Sequence, residues 1–445
     1  MEIETKCLHE GYKPGNGEPL ALPIYQSTTY TYDSTEHIGK LFDLTAPGHM
    51  YSRISNPTGA YVEEKLAALE GGVGCLLTTS GQAASFMSLF NILSAGDSFI
   101  AASKIYGGTV NLFAVTMKRM GIECIFIDED ADEETLQKAF KPNTRAVFAE
   151  TLANPALSVC DIEKLARVAH ANGVPLIIDN TFPTPIFCRP IEWGADIVIH
   201  STTKYIDGHA IQVGGAIIDS GNFDWGNGKY PSLTEPDESY HGLRYTGNFD
   251  WTASGKYPGL TTPDESYHGI VYTEKFGRAA YITKARVQLT RDLGVYPPAQ
   301  AAFYTDLGLQ TLPVRMQRHA ENAMQVAEFL NAHPGVNYVN YPGLKNDKYH
   351  ELAMKYLPKG QSGVMSFSIK GGREGAVRFM DRLQLANNVV HVADVRTCVL
   401  HPASATHRQL TSEQLAAAGI DEALIRLSVG LENVDDIIAD LAAAF

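Results

Sequence analysis

A lysine placed directly after an apolar run is the first residue of this sequence that could perform covalent chemistry. Lys204 ends the sequence STTK, which follows the apolar run ADIVIH at 195–200. In a desolvated site that holds other cations, a lysine loses its proton readily, and its neutral amine then attacks aldehydes. The hydroxyls of Ser201 and Thr203 are suited to binding a phosphate ester. The alternative is an ordinary surface lysine in a polar turn.

Asp179 occupies a similar position 25 residues earlier, directly after the apolar run VPLII at 174–178. Ligands of open α/β sheets bind outside the carboxyl ends of the strands, and a carboxylate buried there needs a cationic or N–H partner. A pyridoxal 5'-phosphate (PLP) site needs a lysine for the imine and a carboxylate for the pyridine nitrogen. Asp179 and Lys204 together therefore predict a PLP site. Taken alone, Asp179 could equally cap a helix or a turn.

Two glycine-containing turns give weaker signals. Gly81 and Gln82 lie in SGQAA, where a turn enters a helical segment whose free N–H groups and dipole suit a phosphate. Tyr106 begins the sequence YGGT after the strand-like residues near Ile100, and its ring could stack on a flat aromatic group. The alternatives are ordinary helix capping for the first turn and ordinary rim packing for the tyrosine.

Two arginines are candidates for binding anions. Arg53 lies in the polar segment YSRISNPT and could clamp a phosphate with two hydrogen bonds. Arg426 lies in the apolar run LIRLSV, and an arginine is almost never buried without a partner, which predicts an anion beside it. The alternatives are a solvated surface arginine for Arg53 and an internal salt bridge for Arg426.

These residues need a scaffold that brings distant strand ends together. From residue 60 to residue 218, short apolar segments alternate with helical ones, which is typical of a mostly parallel sheet with helices on both faces. Helices are predicted at Val62–Glu70, Gly81–Leu93 and Asp161–Ala171. The sequence therefore predicts an α/β fold with strands at Ser98–Ala102, Glu123–Ile127, Ala146–Glu150, Pro175–Asp179, Ile197–His200 and Gly215–Ile218.

The pattern also divides the chain into three parts. We expect residues 1–60 to form an extended arm and residues 61–290 to form a cofactor-binding domain. We expect residues 291–445 to form a smaller α/β domain, with elements at Val364–Ile369, Glu374–Leu383 and Val434–Ala444. Residues 221–273 contain a tandem repeat, GNFDWGNGKYPSLTEPDESYHGLRYT followed by GNFDWTASGKYPGLTTPDESYHGIVYT. Its Pro, Gly, Asp and Asn content predicts a surface loop, in which insertions are tolerated.

Composition narrows the classes of function. The 445 residues include 36 Lys+Arg and 50 Asp+Glu, a net charge of -14, which disfavours nucleic acid and anionic membranes as partners. The sequence has no HExxH metal motif, no GxxxxGK[ST] loop and no GxGxxG after a strand. Its N-terminus lacks a signal-peptide pattern and its six cysteines are scattered, so we expect a cytoplasmic protein with free thiols.

Eight segments, taken in their order along the chain, resemble those of one enzyme family. YSRISNPT, SGQAA, YGGT, NPALSVCDI, DNTFPTP, STTKYIDGH, HPAS and RLSVGLE together resemble the Cys/Met-metabolism family of PLP enzymes over essentially the whole chain. The resemblance implies the type I PLP-dependent aminotransferase-like fold, with a large, mostly parallel sheet domain and a smaller C-terminal α/β domain. It also implies PLP as cofactor and a homotetramer whose active sites are shared across a dimer interface.

The resemblance assigns roles to the candidate residues. Lys204 would form the Schiff base and act in catalysis, Asp179 would pair with the pyridine nitrogen, and Tyr106 would stack on the ring and assist catalysis. Asn154 would lie near the cofactor hydroxyl and the substrate, and Arg426 would bind the substrate α-carboxylate. Residues implied to bind the phosphate are Gly81, Gln82, Ser201 and Thr203, with Tyr51 and Arg53 reaching it from the neighbouring subunit and Tyr51 also contacting substrate.

Within the family, the chain length and the FDW…KYP…PDESYHG segment resemble the branch that joins O-acetyl-L-homoserine to sulfide or a thiol. Gly108 replaces the cysteine of the methionine γ-lyase pattern, and HVAD at 391–394 replaces the SLGG of the lyases and cystathionine synthases. The open alternatives are a cystathionine or methionine γ-lyase and an O-succinylhomoserine sulfhydrylase. From a different class, a nucleotide-binding or non-catalytic α/β protein also stays open.

Overall fold

Two β-sheets organise the chain, as seen in a computed structural model that describes residues 1–230, 233, 276–405 and 421–445. The larger sheet has seven strands in the order β1-β7-β6-β5-β4-β2-β3, and β7 alone runs antiparallel to its neighbours. The predicted α/β class with a mostly parallel large sheet is therefore confirmed. Its strands are β1 (Gly74–Thr78), β2 (Ser98–Ala102), β3 (Glu123–Ile127), β4 (Thr144–Glu150), β5 (Leu176–Asp179), β6 (Ile197–His200) and β7 (Gly215–Asp219).

Helices cover the faces of this sheet, which is why its strands are apolar runs rather than alternating patterns. Strands β2, β6 and β7 are buried at every residue. The helices that precede β7 along the chain are α1 (Ile3–His9), α2 (Thr35–Phe42), α3 (Pro57–Glu70), α4 (Gly81–Phe90), α5 (Gly107–Asn111), α6 (Glu133–Gln137), α7 (Ile162–Ala171) and α8 (Thr184–Phe187). A π-helical stretch, Leu112–Met117, continues α5, and a 3₁₀ turn covers Pro190–Trp193.

The C-terminal part contains the smaller sheet, in the order β10-β11-β12-β9-β8. Its strands are β8 (Val336–Asn340), β9 (Val364–Ile369), β10 (Asn387–Asn388), β11 (Cys398–Leu400) and β12 (Leu424–Ser428). Helical segments that follow residue 276 are Gly277–Ala279, Ala280–Lys284, Ala285–Thr290, Arg291–Leu293, Ala299–Ala332, His350–Tyr356, Gly372–Arg382, Pro402–Ser404 and Val434–Ala444. In the described parts of the chain, no helix combines the length and apolarity needed to cross a membrane.

Most predicted elements occur within a few residues of their predicted bounds, but two differences stand out. The segment 1–60 contains α1 and α2 rather than only extended chain. These helices are only 7 and 8 residues long and bury one residue each, Cys7 and Leu41, so each offers about two turns of pattern to detect. Strand β1, GCLLT, was not predicted, because it begins with a glycine, which is uncommon inside strands. The domain boundaries at 60 and 290 stay predictions.

The first copy of the repeat begins inside the core rather than on the surface. Trp225 and Tyr230 are buried, and the Trp225 ring stacks on Tyr281 with centroids 4.9 Å apart. The Tyr230 hydroxyl donates a hydrogen bond to the carbonyl of Arg145 at 2.8 Å. The surface prediction was therefore wrong for Trp225 and Tyr230, whereas residues 221–230 do form turns rather than a strand, as their composition predicted. Most of the remaining repeat, 231–232 and 234–273, lies outside the described residues.

Candidate active site

A cavity of about 260 Å³ lies where the carboxyl ends of β1, β2, β4, β5 and β6 meet. Parallel strands place their carboxyl ends at one edge of a sheet, and residues that follow each strand therefore converge there. The cavity brings together nine of the eleven predicted site residues. These are Gly81, Gln82, Tyr106, Asn154, Asp179, Ser201, Thr203, Lys204 and Arg426.

Lys204 sits in the turn that follows β6, inside the cavity. Its Nζ lies 3.4 Å from Nδ1 of His391. Burial, together with the nearby positive charge of Arg426, lowers the pKa of Lys204 to about 8. A sizeable fraction of this amine is therefore neutral near physiological pH, which is the state that attacks an aldehyde or accepts a proton.

Asp179 ends β5 and is oriented by the residue two positions later. The backbone N–H and the hydroxyl of Thr181 both donate to its Oδ1, at 2.9 and 2.5 Å. Its Oδ2 has no hydrogen-bond partner among the described residues. Burial raises the pKa of Asp179, and the two Thr181 hydrogen bonds oppose that rise. A carboxylate with one free oxygen in a cavity is suited to pairing with a protonated ring nitrogen.

The N-terminus of α4 forms a second wall of the cavity. Ser80 caps this helix by accepting a hydrogen bond from the Ala83 N–H at 3.1 Å. A Cβ at Gly81 would lie 2.5 Å from Cβ of Ser201, so only glycine lets the turn after β6 pack against this helix end. The first N–H groups of a helix lack partners within the helix and attract phosphate.

Ser201 and Thr203, predicted to bind phosphate, are each held by hydrogen bonds within the chain. The backbone N–H of Ser201 donates to the hydroxyl of Thr181 at 2.8 Å. The Thr203 hydroxyl already exchanges hydrogen bonds with the backbone of Gly214, at 3.0 and 3.2 Å. Thr203 thus lines the cavity and also fixes the loop before β7 through its hydrogen bonds to Gly214. Nothing in the sequence indicated this contact with Gly214.

Tyr106 lies in the chain segment after β2 and lines the cavity. Its side chain is about half-exposed. A Cβ at Gly108 would lie 2.5 Å from an edge carbon of the Tyr106 ring and 2.8 Å from the Gln82 amide nitrogen. Any side chain at position 108 would therefore displace the tyrosine or the glutamine. Gly108, noted in the sequence only as a departure from the γ-lyase pattern, thus allows the observed ring position.

Arg426 comes from β12 of the smaller sheet and is buried. Its guanidinium donates to the carbonyls of Val390 and His391 at 3.0 and 3.1 Å and to the side chain of Asn154 at 3.4 Å. Among the described residues no carboxylate pairs with Arg426, so the internal salt bridge considered above is not found. Burial lowers the pKa of Arg426 to about 10. A buried cation without an anion is well placed to bind a carboxylate ligand.

Tyr51 and Arg53 do not line the cavity of this chain. The Tyr51 ring is exposed, and the Arg53 guanidinium lies 5.5 Å from the centre of that ring. Their implied role in a neighbouring subunit's site is not tested by a single chain and stays a prediction.

Glu150 is a cavity residue that the sequence did not single out. It ends β4 directly beside Asp179 on β5 and accepts the Tyr106 N–H at 2.7 Å. Burial, and next the charge of Asp179, raise the pKa of Glu150 well above its usual range. Two buried carboxyls at one sheet edge do not both ionise easily, and Thr181 stabilises the charge on Asp179. Of the two carboxyls, Glu150 is therefore the one driven further toward its neutral form. Its position at the end of a predicted strand, like that of Asp179, was the available signal.

A neutral Glu150 predicts a specific response to substitution. We expect Glu150→Gln to keep turnover within about fivefold of the parent, because the amide also accepts the Tyr106 N–H and carries no charge. Glu150→Leu leaves that N–H unpaired, at a cost of about 1–3 kcal/mol, and lowers turnover further. Steady-state kinetics of the two variants make the comparison. A Gln variant as impaired as the Leu variant would show that an ionised carboxylate is required.

These residues fit PLP as a set. The helix N-terminus at Gly81 suits the phosphate, the free Oδ2 of Asp179 suits the ring nitrogen, and Lys204 has the lowered pKa of an amine that bonds to an aldehyde. Fold and site together define a type I PLP-dependent enzyme. Residues 4–445 match the Cys/Met metabolism PLP-dependent enzyme family, and the chain belongs to that family.

Characterised relatives share almost the full length of the chain. It is 45% identical to an O-acetyl-L-homoserine sulfhydrylase of Leptospira meyeri, over 99% of this chain and 96% of the relative. It is 43% identical to O-acetyl-L-homoserine sulfhydrylase 1 of Thermus thermophilus, over 100% of both chains. A homocysteine synthase of Schizosaccharomyces pombe is 43% identical over 99% of this chain and 97% of its own.

Solved structures show the same architecture. A Campylobacter jejuni protein described as an O-acetylhomoserine (thiol)-lyase matches with a TM-score of 0.90 and 38% identity, over 100% of this chain and 99% of its own. That structure carries N'-pyridoxyl-lysine-5'-monophosphate, a lysine bonded to the cofactor. The metB protein of Corynebacterium glutamicum matches with a TM-score of 0.79 and 30% identity, over 100% of this chain and 97% of its own. PLP is thus the cofactor of the family to which this chain belongs.

Proposed function

We propose that the chain converts O-acetyl-L-homoserine and sulfide into L-homocysteine and acetate. One observation carries the proposal: Lys204 and Arg426 line the same cavity. Among the described residues, Arg426 has carbonyl partners but no carboxylate partner. This arrangement suits an amino acid that reacts near its α-carbon while its carboxylate is held. The relatives named for O-acetylhomoserine chemistry support this choice of substrate over other amino acids.

The chain's own residues would hold PLP at five points. Lys204 would carry it, Asp179 would keep its ring nitrogen protonated, and Tyr106 would cover its ring. The α4 N-terminus at Gly81 and Gln82, with Ser201 and Thr203, would hold the phosphate, and Asn154 would lie beside the ring hydroxyl. When bound, PLP supplies an electron sink for the charge that develops as protons leave the substrate.

Arg426 positions the substrate by binding its α-carboxylate. Its contacts with the Val390 and His391 carbonyls hold the guanidinium in place before substrate arrives, which lowers the entropic cost of binding. A carboxylate held there directs the rest of the amino acid toward Lys204.

Lys204 moves the protons of the reaction. With the substrate amine in place, its Nζ would take the proton from the α-carbon and give it up again within the site. Neutral once more, Nζ would take a proton from the β-carbon, since its pKa of about 8 suits a base near neutrality. Acetate then leaves from the γ-carbon with the C–O bonding pair, and the sulfur of sulfide bonds to the same carbon. The protons return to the β- and α-carbons, so the only net change is acetate exchanged for the thiol. Tyr106 or Tyr51 would assist the departure of acetate.

Tyr51, whose ring is exposed, and the neighbouring Arg53 both lie outside the cavity of their own chain, which supports a shared site. We propose that they reach the cofactor phosphate of a neighbouring copy within a homotetramer. Size measurement of the holoenzyme by light scattering tests the assembly, and a monomer with full activity would contradict it.

A visible absorbance spectrum followed by substrate addition tests the function. We expect a yellow protein that forms homocysteine only when both O-acetylhomoserine and sulfide are present. Release of 2-oxobutyrate from methionine or homocysteine instead would assign the chain to the γ-lyases, and a preference for the succinyl ester to the O-succinylhomoserine enzymes. A protein that stays colourless with added PLP would exclude the whole mechanism.

A further inference from the structure

His391 lies close to the reactive amine yet has no part in the mechanism above. Its Nδ1 is 3.4 Å from Nζ of Lys204, and its side chain is 21% exposed. Among the described residues, no carboxylate contacts Lys204 Nζ. Whenever this amine is not bonded to the cofactor, His391 is therefore the side chain positioned to accept a hydrogen bond from it.

The other ring nitrogen of His391 faces Asp394. Nε2 is buried without a hydrogen-bond partner among the described residues, and Asp394 Oδ2 lies 3.6 Å away. Asp394 is almost fully buried and accepts the backbone N–H and the Nε of Arg396 at 2.9 and 2.7 Å. Although burial raises the pKa of Asp394, these Arg396 hydrogen bonds lower it overall, so the carboxylate stays charged. A charged Asp394 favours the tautomer with hydrogen on Nε2, which leaves the Nδ1 lone pair for Lys204.

The charges around His391 keep it neutral. It is surrounded by Lys204 after β6, by Arg426 of β12, and by Asp394 and Arg396 of its own loop. Burial, followed by the positive charge of Lys204, lowers its pKa to about 4. A neutral imidazole can accept a hydrogen bond at Nδ1, whereas an imidazolium could not.

The loop that carries His391 is tied to the turn that carries Lys204. The Val395 N–H donates to the Gly208 carbonyl at 2.8 Å, and Arg396 donates to the His209 carbonyl at 3.0 Å. The His391 carbonyl itself accepts from Arg426. These hydrogen bonds hold the His391 loop against the Lys204 turn, and they therefore fix the distance between the two side chains.

We propose that His391 is a positioning residue that accepts a hydrogen bond from the Lys204 amine and that Asp394 orients it for this task. The role rests on the proposed function in so far as Lys204 acts as the base. A hydrogen bond from Nζ stabilises the ammonium form of Lys204 and fixes the direction of its lone pair once the proton has left.

Three single substitutions test the proposal in the PLP-loaded enzyme. His391→Leu removes the acceptor, His391→Asn keeps an acceptor oxygen in a side chain of smaller size, and Asp394→Asn keeps an acceptor for Arg396 but removes the charge. Without the acceptor the ammonium form loses stabilisation, so we expect the acid limb of the kcat profile of the Leu variant to move to lower pH by about one unit. Its kcat at the optimum should fall about tenfold with little change in KM, because Arg426 is intact.

A second readout does not depend on turnover. L-norvaline has an amine that displaces Lys204 but has no leaving group. In the loaded enzyme saturated with it, titration of the visible band that appears on removal of the α-proton follows the protonation of the freed Lys204 amine. We expect this titration to move to lower pH in the Leu variant, to stay near the parent in the Asn variant, and to shift partway in Asp394→Asn. If homocysteine formation fails while this titration shifts as expected, the proposed reaction is wrong but the role of His391 stands.

Two results would overturn the proposal. In one, the Leu and Asn variants shift equally, which would show that only packing was lost. In the other, no variant shifts either profile. Should His391→Leu fail to fold or to bind PLP, the comparison of Asp394→Asn with the parent decides the question, and an unshifted titration there would count against the role.

Discussion

Lys204→Ala is expected to abolish covalent cofactor attachment and to lower turnover by about 10³-fold or more, since both the amine that bonds to PLP and the general base are lost. The lowered pKa of Lys204, caused by burial and by Arg426, is the physical basis of both tasks. Borohydride reduction of the parent followed by peptide mass spectrometry should place the pyridoxyl group on Lys204. The same treatment of the variant should leave the peptide unmodified.

Lys164→Ala provides a matched control for this experiment. Lys164 is also a partly buried lysine, but its ammonium donates to the carbonyls of Glu129 and Ala131 outside the cavity. We expect this variant to lose some stability and to retain the cofactor and its kinetics. Normal turnover in Lys204→Ala would contradict the assignment of this lysine.

Asp179→Asn is expected to lower kcat by about 10²–10³-fold, the usual effect of removing one preorganised charge from an active site. An amide at this position keeps the size of the side chain but cannot hold a ring nitrogen in its protonated state, which weakens the electron sink. We also expect weaker PLP retention, which equilibrium dialysis against PLP would measure. The Thr181 hydrogen bonds to Oδ1 remain possible for an asparagine, so the local fold should persist.

Asp219→Asn controls for the removal of a buried carboxylate. Asp219 ends β7, which runs antiparallel to β6, so it lies at the opposite edge of the sheet from the cavity. Burial raises its pKa to about 7. We expect the Asn variant to keep both kcat and PLP affinity. An Asp179→Asn enzyme with parental kcat and PLP affinity would refute a role for this carboxylate at the cofactor.

The local sequence was sufficient to predict the sheet edge and the residues that follow each strand. Apolar runs with helical segments between them indicate parallel strands, and such strands end at one edge. Lys204 and Asp179 each follow such a run closely, so the sequence alone was enough to expect that they converge. The elements that the sequence did not predict were mainly strand β1 and helices α1 and α2. Each of them is 5 to 8 residues long and so gives few residues from which to detect an element.

Contacts between distant segments were decided only by the tertiary structure. Pairing of β4 with β5 places Glu150 beside Asp179, and the packing of the smaller sheet brings Arg426 and His391 to Lys204. Likewise, Trp225 in the first repeat copy is buried because Tyr281 packs against it. Sequence periodicity reports which face of an element is buried, but it does not report which other element covers that face. For this reason the sequence determined the chemical groups of the site, and only the fold decided their charges and partners.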